Sequence, residues 1–343
     1  MRVTNKMITS RYSRDLNKSL SDLNTLSQKV ETGRKFQTGA EDPIGAVKAY
    51  RLRREYYKNK NYDTNLKEAD STLTSAEGNL MQLNKNLQAI HTSCLKGING
   101  TMTLDEREII SNELKNIQHS IVTTLNSEFN DKYLFSGNSM STPPFSVSND
   151  NHLLYKGVDV SIADQNATAG SDEKKAYDAL VELSKENVYL DIGLSLKVNP
   201  DSSIDKNSVF DIGIPGINIL GFGKDSTTGI SKNVYDTITS ICDELEDSNF
   251  SMNSISPYLD TFNDQKNDIL KEITSIGSKS QYIDFLKSRT ENNNINLNSK
   301  MFEVECVDPA EAIMDWKMQE YSYNAALQMG MKVIQPSFLD FMR

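Results

Sequence analysis

"LKEADSTLTSAEGNLMQLNKNLQAIHTSC" occupies residues 66–94. Leu66, Ala69, Leu73, Ala76, Leu80, Leu83, Leu87, Ile90 and Cys94 follow one another in steps of three and four without a miss. An α-helix turns every 3.6 residues, so this rhythm lays all of these side chains along one narrow stripe. A stripe that long and that narrow needs a partner helix of comparable length. It predicts a mostly α protein.

The C-terminal half supplies the partner. Ile269, Ile273, Ile276, Ile283, Leu297, Met301 and Val304 fit one heptad track, with polar Ser280, Lys287 and Asn294 in its middle positions. Polar seam residues lower stability but fix register. Both arms carry the same start signal. In "AEDPIGA" (40–46), Asp42 reads as an N-cap and Pro43 as the first helical residue, where its φ is already set and its missing N–H costs nothing. In "CVDPAEA" (306–312), Asp308 caps, Pro309 starts and Glu311 stands at the capping-box position. At about 1.5 Å per residue, helices over 43–98 and 259–305 would be about 85 and 70 Å long. Terminal helices over 13–32 and 309–335 would be about 30 and 40 Å. If the chain doubles back in its middle, pieces of similar length lie side by side. The expected fold is a long antiparallel helical bundle or coiled coil formed by the N- and C-terminal arms.

The terminal helices look incomplete on their own. Leu16, Leu20, Leu23 and Val30 stripe the first, which Gly33 ends, and "GRKFQTGAE" (33–41) connects it onward. Ile313, Trp316, Tyr323, Leu327, Gly330 and Ile334 stripe the last, which stops at Pro336. Single helices this short are marginal in water, and a pair barely improves matters. These two stripes are the candidate assembly interface. Residues 1–41 and 308–343 are expected to be poorly ordered alone and to fold when copies surround them. One interface repeated head to tail gives a ring or a helical array.

Composition agrees with a rod. Apolar residues make up 37% of 343, mean hydropathy is −0.52, and there is a single Trp, so one large globular core is not expected. Residues 1–60 hold 14 Lys/Arg against 6 Asp/Glu, whereas residues 301–343 hold 3 against 7. A basic beginning and an acidic end attract when packed together. The rival use of Lys48, Arg51, Arg53, Arg54, Lys58 and Lys60 is a nucleic-acid or membrane patch, and solvated helix faces often look the same. No nucleic-acid partner and no membrane insertion are expected, since no run approaches 18 apolar residues. The N-terminus has no apolar core of a cleavable signal.

Between the arms the texture changes. The long helix stops at "GINGT" (97–101), and Thr103 with Glu106 forms a capping box. Ile110, Leu114, Ile117, Ile121, Leu125 and Phe129 give the next helix its apolar face, and "SGN" (136–138) ends the region. "LLYKGVDVSIAD" (153–164) and "SVFDIGIPGINILGFG" (208–223) are β-branched and punctuated by glycine, so both read as strands. Residues 172–187 and 231–248 read as helices. Helical spacing resumes after Pro257. The expected division is therefore a long bundle (42–139 with 257–307) carrying a small α+β insert (140–256).

Searches for chemistry return little. Cys94, Cys242 and Cys306 are scattered, without the spacing of a disulfide framework or a zinc cluster, and read as small apolar side chains. His91, His119 and His152 have no metal-ligand partner at helical spacing. In "GINILGFGKDS" (216–226) Lys224 comes two residues late for a phosphate loop, and the intervening run is apolar; it reads as a strand end. "DSSID" (201–205) lacks the glycine and the distal Glu of a calcium loop and reads as a turn. No catalytic, cofactor-binding or metal-ligating residue emerges, so no enzyme activity and no cofactor are expected.

Three collinear stretches do resemble a known family. "LSQKVETGRKFQTGAEDPIGA" (26–46), "DKYLFSGN" (131–138) and "DPAEAIMDWKMQEYSYNAALQMGMKVIQPSFLDFM" (308–342) are similar to conserved segments of the flagellin superfamily, nearest to its hook–filament junction, or hook-associated, branch. Glu41 departs from the family's Asp, and Pro336 stands where the family usually has Leu or Gln. The resemblance implies a structural subunit, exported unfolded through the flagellar channel under a chaperone that guards its C-terminal helices. It implies a ring of copies, a homo-oligomer, between a neighbouring hook-associated protein and flagellin. The alternative within the same superfamily is a flagellin that forms the filament itself.

Overall fold

The computed structural model describes residues 5–98, 102–139, 141–193, 209–248 and 250–333. In chain order come α1 (Asn5–Thr32), α2 (Pro43–Gly97) and α3 (Leu104–Leu125). A hairpin of β1 (Glu128–Phe129) and β2 (Lys132–Tyr133) follows, then an antiparallel sheet of β3 (Phe145–Val147), β4 (Leu153–Tyr155) and β5 (Val158–Asp159). After α4 (Asp172–Ser184), β6 (Tyr189–Leu190) pairs antiparallel with β7 (Phe210–Asp211). Helices α5 (Gly216–Leu220), α6 (Val234–Glu246), α7 (Met252–Glu305) and α8 (Pro309–Val333) complete the order. The chain is mostly α with a small α+β part.

Compactness separates Met1–Lys60 with Glu291–Arg343 from Asn61–Thr290. This boundary falls inside α2 and α7. It is a different grouping from the division into terminal pair, long bundle and insert expected above.

In the unit 61–290, the stripe that opened the sequence analysis forms the core. Leu66, Ala69, Leu73, Ala76, Leu80, Leu83, Leu87, Ile90 and Cys94 are all buried. Beside them, Asn79 donates to Ser127 (2.6 Å), Asn86 to Ser120 (3.3 Å) and Ser93 to Glu113 (3.3 Å). These bonds recur at heptad spacing on α2 and run backwards along α3 and its end, which fixes the two as antiparallel. On α7, Ile269, Ile276 and Ile283 are buried, and the polar seam residue Lys287 is answered by Asp70 at 2.8 Å. Thr103 and Glu106 make the expected capping box at the start of α3.

Three local expectations are corrected. Phe129 does not lie on α3, because Asn126 ends that helix: its side-chain amide exchanges two hydrogen bonds with the Phe145 backbone (2.8 and 3.0 Å). Phe129 sits in β1 instead, ahead of Asn130 and Asp131, whose φ of 52° and 59° suit a tight hairpin turn. Among the described residues of 208–223 only Phe210–Asp211 is strand, and "GINIL" is the short helix α5. Ile217, Ile219 and Leu220 are buried there with only Asn218 exposed, and so short an apolar run has no periodicity to separate helix from strand. Finally, α7 begins at Met252 and includes Pro257. Burial of Ile255 and Phe262 on either side offsets the one backbone bond the proline cannot make.

Candidate assembly surface

The unit formed by 1–60 and 291–343 brings the two start signals together through their connectors. Gly33 ends α1 in the left-handed conformation (φ +66°). Lys35 N–H then donates to Glu305 O (2.8 Å), and Val307 N–H donates to Gly33 O (3.0 Å). A two-strand bridge thus joins residues 33–35 to 305–307, with Arg34 opposite Cys306. Asp42 caps α2 by accepting from Gly45 N–H at 2.8 Å. A Cβ at residue 45 would stand 2.2 Å from that same carboxylate, so the cap requires glycine there. Asp308 caps α8 by accepting from Ala310 N–H (2.8 Å), the second helical residue. Pro43 and Pro309 open their helices as expected.

Beyond the caps, Arg53 grips Glu305 with both arms of its guanidinium, the Nε bond measuring 2.6 Å. Asn59 donates to Asn294 (2.7 Å), so a second polar seam residue has its partner across the helix pair. In this unit α1 packs against α8 antiparallel. Tyr12 Oη donates to Ala326 O (3.0 Å), and Gln319 Nε2 donates to Ser19 O and Oγ (3.2 and 3.1 Å).

The candidate interface residues divide by exposure. Leu16, Leu23, Val30, Trp316 and Tyr323 are half-buried, while Leu20, Ile313 and Leu327 are exposed. Ile334 lies outside the described residues, as do Pro336 and residues 201–205. The α1–α8 pair therefore spends part of both stripes on itself and leaves part open. The sequence stripes miss a larger apolar surface on α8: Met314, Met318, Tyr321, Met329 and Met331 all face solvent. They also miss Tyr12, Ser19 and Gln319, the polar residues that set the register of the pair. Gly330, already on the heptad track, was the available signal of close approach.

Elsewhere the side chains offer little chemistry. Burial pushes the Cys94 thiol up to about 12 and the Cys242 thiol to about 11, away from thiolate reactivity. His152 is not isolated: its Nδ1 lies 3.1 Å from Asp159 Oδ2, a pairing across the β4–β5 hairpin that linear spacing did not reveal. Among the described residues no cluster of His, Cys, Asp and Glu is placed to hold a metal, and no helix is long and apolar enough to cross a membrane.

Residues 3–140 match the family model for the bacterial flagellin N-terminal helical region. Those residues are similar to that region of the flagellin superfamily. The chain is 24% identical over 166 residues to flagellar hook-associated protein 3 of Salmonella typhimurium, covering 48% of this chain and 51% of that protein. It is 22% identical over 227 residues to flagellar hook-associated protein 3 of Escherichia coli K12, covering 61% and 71% respectively. The chain thus spans about half the length of the Salmonella relative. A candidate flagellar hook-associated protein from Vibrio parahaemolyticus shares the fold, with a TM-score of 0.59 at 20% identity over 78% of this chain and all of that one. The flagellin-superfamily resemblance read from three sequence stretches therefore stands.

Proposed function

We propose that this chain is a structural adaptor of the bacterial flagellum, forming a short ring at the hook–filament junction that joins the hook side to the flagellin filament. One observation carries the reading: an antiparallel α1–α8 pair, too thin to form a core, leaves apolar side chains such as Met314, Met318 and Tyr321 in solvent. Such a surface is covered when copies pack side by side. In this reading residues 1–41 and 308–343 are the assembly core and become fully ordered on incorporation. The partners are other copies, a neighbouring hook-associated protein, flagellin, and an export chaperone that shields the C-terminal helices. The chain reaches its place through the flagellar export channel, and no reaction is assigned to it. The similarity to hook-associated proteins supports the junction over the filament.

The test is deletion of the gene in its natural host, followed by electron microscopy and assay of the medium. The expected result is hooks without filaments and flagellin shed into the medium, restored by the wild-type gene. Normal filaments on the deletion strain would refute the reading, and long filaments built from this chain alone would make it a flagellin.

A further inference from the structure

Two exposed stripes in the unit 1–60/291–343 have the same stepping and opposite charge. On α2, Ile44, Val47, Arg51 and Arg54 follow steps of three, four and three, and Tyr50 stands beside them. All five are exposed, Ile44 at 71% and Tyr50 at 70%. Val47, Tyr50, Arg51 and Arg54 border a shallow cavity of about 630 Å³ whose rim includes Gly39 and Pro43. On α8, Glu311, Met314, Met318 and Tyr321 repeat the same steps, and Asp315 stands beside Met314. These are exposed as well, Met314 and Met318 at 65% and Tyr321 at 77%. Among the described residues no ion pair reaches Arg51, Arg54, Glu311 or Asp315, although neighbours on the same helices are paired, such as Arg53 with Glu305 and Lys317 with Glu320.

Each stripe has a charged end and an apolar end. On α2 the cations lie toward the C-terminal side, and on α8 the carboxylates lie toward the N-terminal side. Laid antiparallel, Arg54 meets Glu311, Val47 meets Met318 and Ile44 meets Tyr321, while Arg51 falls at Met314 with the Asp315 carboxylate beside it. Both stripes are open in one copy, so they do not cover each other within the chain.

We propose that the α2 stripe of one copy docks antiparallel on the α8 stripe of a second copy, in this register. The contact rests on the assembly reading above and assigns it specific surfaces. When α2 of one copy takes α8 of one neighbour and its own α8 takes α2 of another, the contact is heterologous and its repetition generates a closed ring or a helical array. Methionine suits the receiving side, since its flexible thioether adapts to the apolar groups of Ile44 and Val47.

Two measurements on the full chain test the register. In a Cys306→Ser background, a Val47→Cys protein is mixed with a Met318→Cys protein bearing a tag of different size, assembled and oxidised. The proposal expects the mixed disulfide to exceed tenfold that formed when Val47→Cys is mixed with Ser299→Cys, an exposed control site on α7. In the second, Arg51→Glu/Arg54→Glu copies and Glu311→Lys/Asp315→Lys copies should each assemble about tenfold more weakly than the parent, since like charges then face each other. Mixing the two should restore assembly, and each variant should match the parent's circular dichroism when both are diluted to single chains. Assembly of the parent with no excess of the mixed disulfide, or charge variants that assemble normally, would overturn this docking and leave the adaptor reading intact. A parent that never self-associates at any concentration would overturn both.

Discussion

Tyr12 and Gly330 meet across the α1–α8 pair: the Tyr12 hydroxyl, donating to Ala326 O at 3.0 Å, lies 1.9 Å from where a Cβ on residue 330 would stand. The close approach exists only because residue 330 has no side chain. Gly330→Ala gains helix propensity, yet it must expel the tyrosine ring. The variant is expected to weaken the pair by about 1–3 kcal/mol. Tyr12→Phe, which keeps the ring and loses one hydrogen bond, should cost about 1 kcal/mol. Limited proteolysis at Lys18 and Lys29 reads the difference: cleavage should be fastest for Gly330→Ala, and resistance equal to the parent would refute the contact.

Arg107 should be the most sensitive polar residue of the unit 61–290. It is buried, and its guanidinium donates to the carbonyls of Leu245 (3.1 Å), Asp247 (3.1 Å) and Met102 (3.4 Å), with the Phe250 ring 4.6 Å away. A cation here satisfies the open carbonyl end of α6 and opposes its dipole. Arg107→Ala is expected to lose about 2–4 kcal/mol in thermal or denaturant unfolding. Arg107→Lys should recover less than half, because an ammonium cannot reach carbonyls in a fork.

The Lys287–Asp70 pair fixes the register of α7 on α2. Hydrogen bonding to Asp70 holds the Lys287 ammonium above its ordinary range. Asp70→Ala leaves the half-buried Lys287 ammonium with only its longer contact to the exposed Asp284 (3.7 Å). A double-mutant cycle with Lys287→Met should yield a coupling of about 1–2 kcal/mol. The double variant is expected to be as stable as the parent or more so, since an apolar pair avoids the desolvation of two charges. A coupling near zero would show that the pair does not contribute to register.

Asp236 gives a pH signature. Burial lifts its carboxyl to about 6 from an ordinary 3.8, against the hydrogen bond from Ser231 Oγ (3.0 Å), with Asp159 raising it further and His152 and Lys224 lowering it. The folded state therefore holds the proton more tightly than the unfolded chain. The stability this contributes is complete below pH 4 and lost as pH rises through about 6. Asp236→Asn should match its parent near pH 4 and exceed it at pH 8 by about 1–2 kcal/mol. Equal melting temperatures across that range would contradict the assignment.

How far the fold was legible depends on the length of each signal. The stripe from Leu66 to Cys94 is long enough that only one structure suits it, and every member is buried. The caps at Asp42, Thr103 and Asp308 were equally readable, because each rests on chemistry within four residues. Readings failed where a distant partner decides a short segment. Asn126 leaves the helix to serve Phe145, "GINIL" coils because its apolar residues are enclosed, and Pro257 is tolerated because Phe262 anchors the helix beyond it. For the proposed assembly surface, the heptad stripes and the exposed apolar side chains fall on the same terminal helices. The stripes marked residues such as Leu16, Leu23, Trp316 and Tyr323, which are half-buried, together with exposed Leu20, Ile313 and Leu327, while Met314, Met318 and Tyr321 lie off that track.

The central claim is that the terminal helices are completed by neighbouring copies. Amide hydrogen exchange read by mass spectrometry, on dilute single chains and on the assembled protein, tests it most directly. The account predicts rapid exchange through 5–32 and 309–333 in the dilute state, slow exchange of both on assembly, and a protected 66–94 stripe in either. Slow exchange of both terminal helices in the dilute chain, unchanged by assembly, would contradict it.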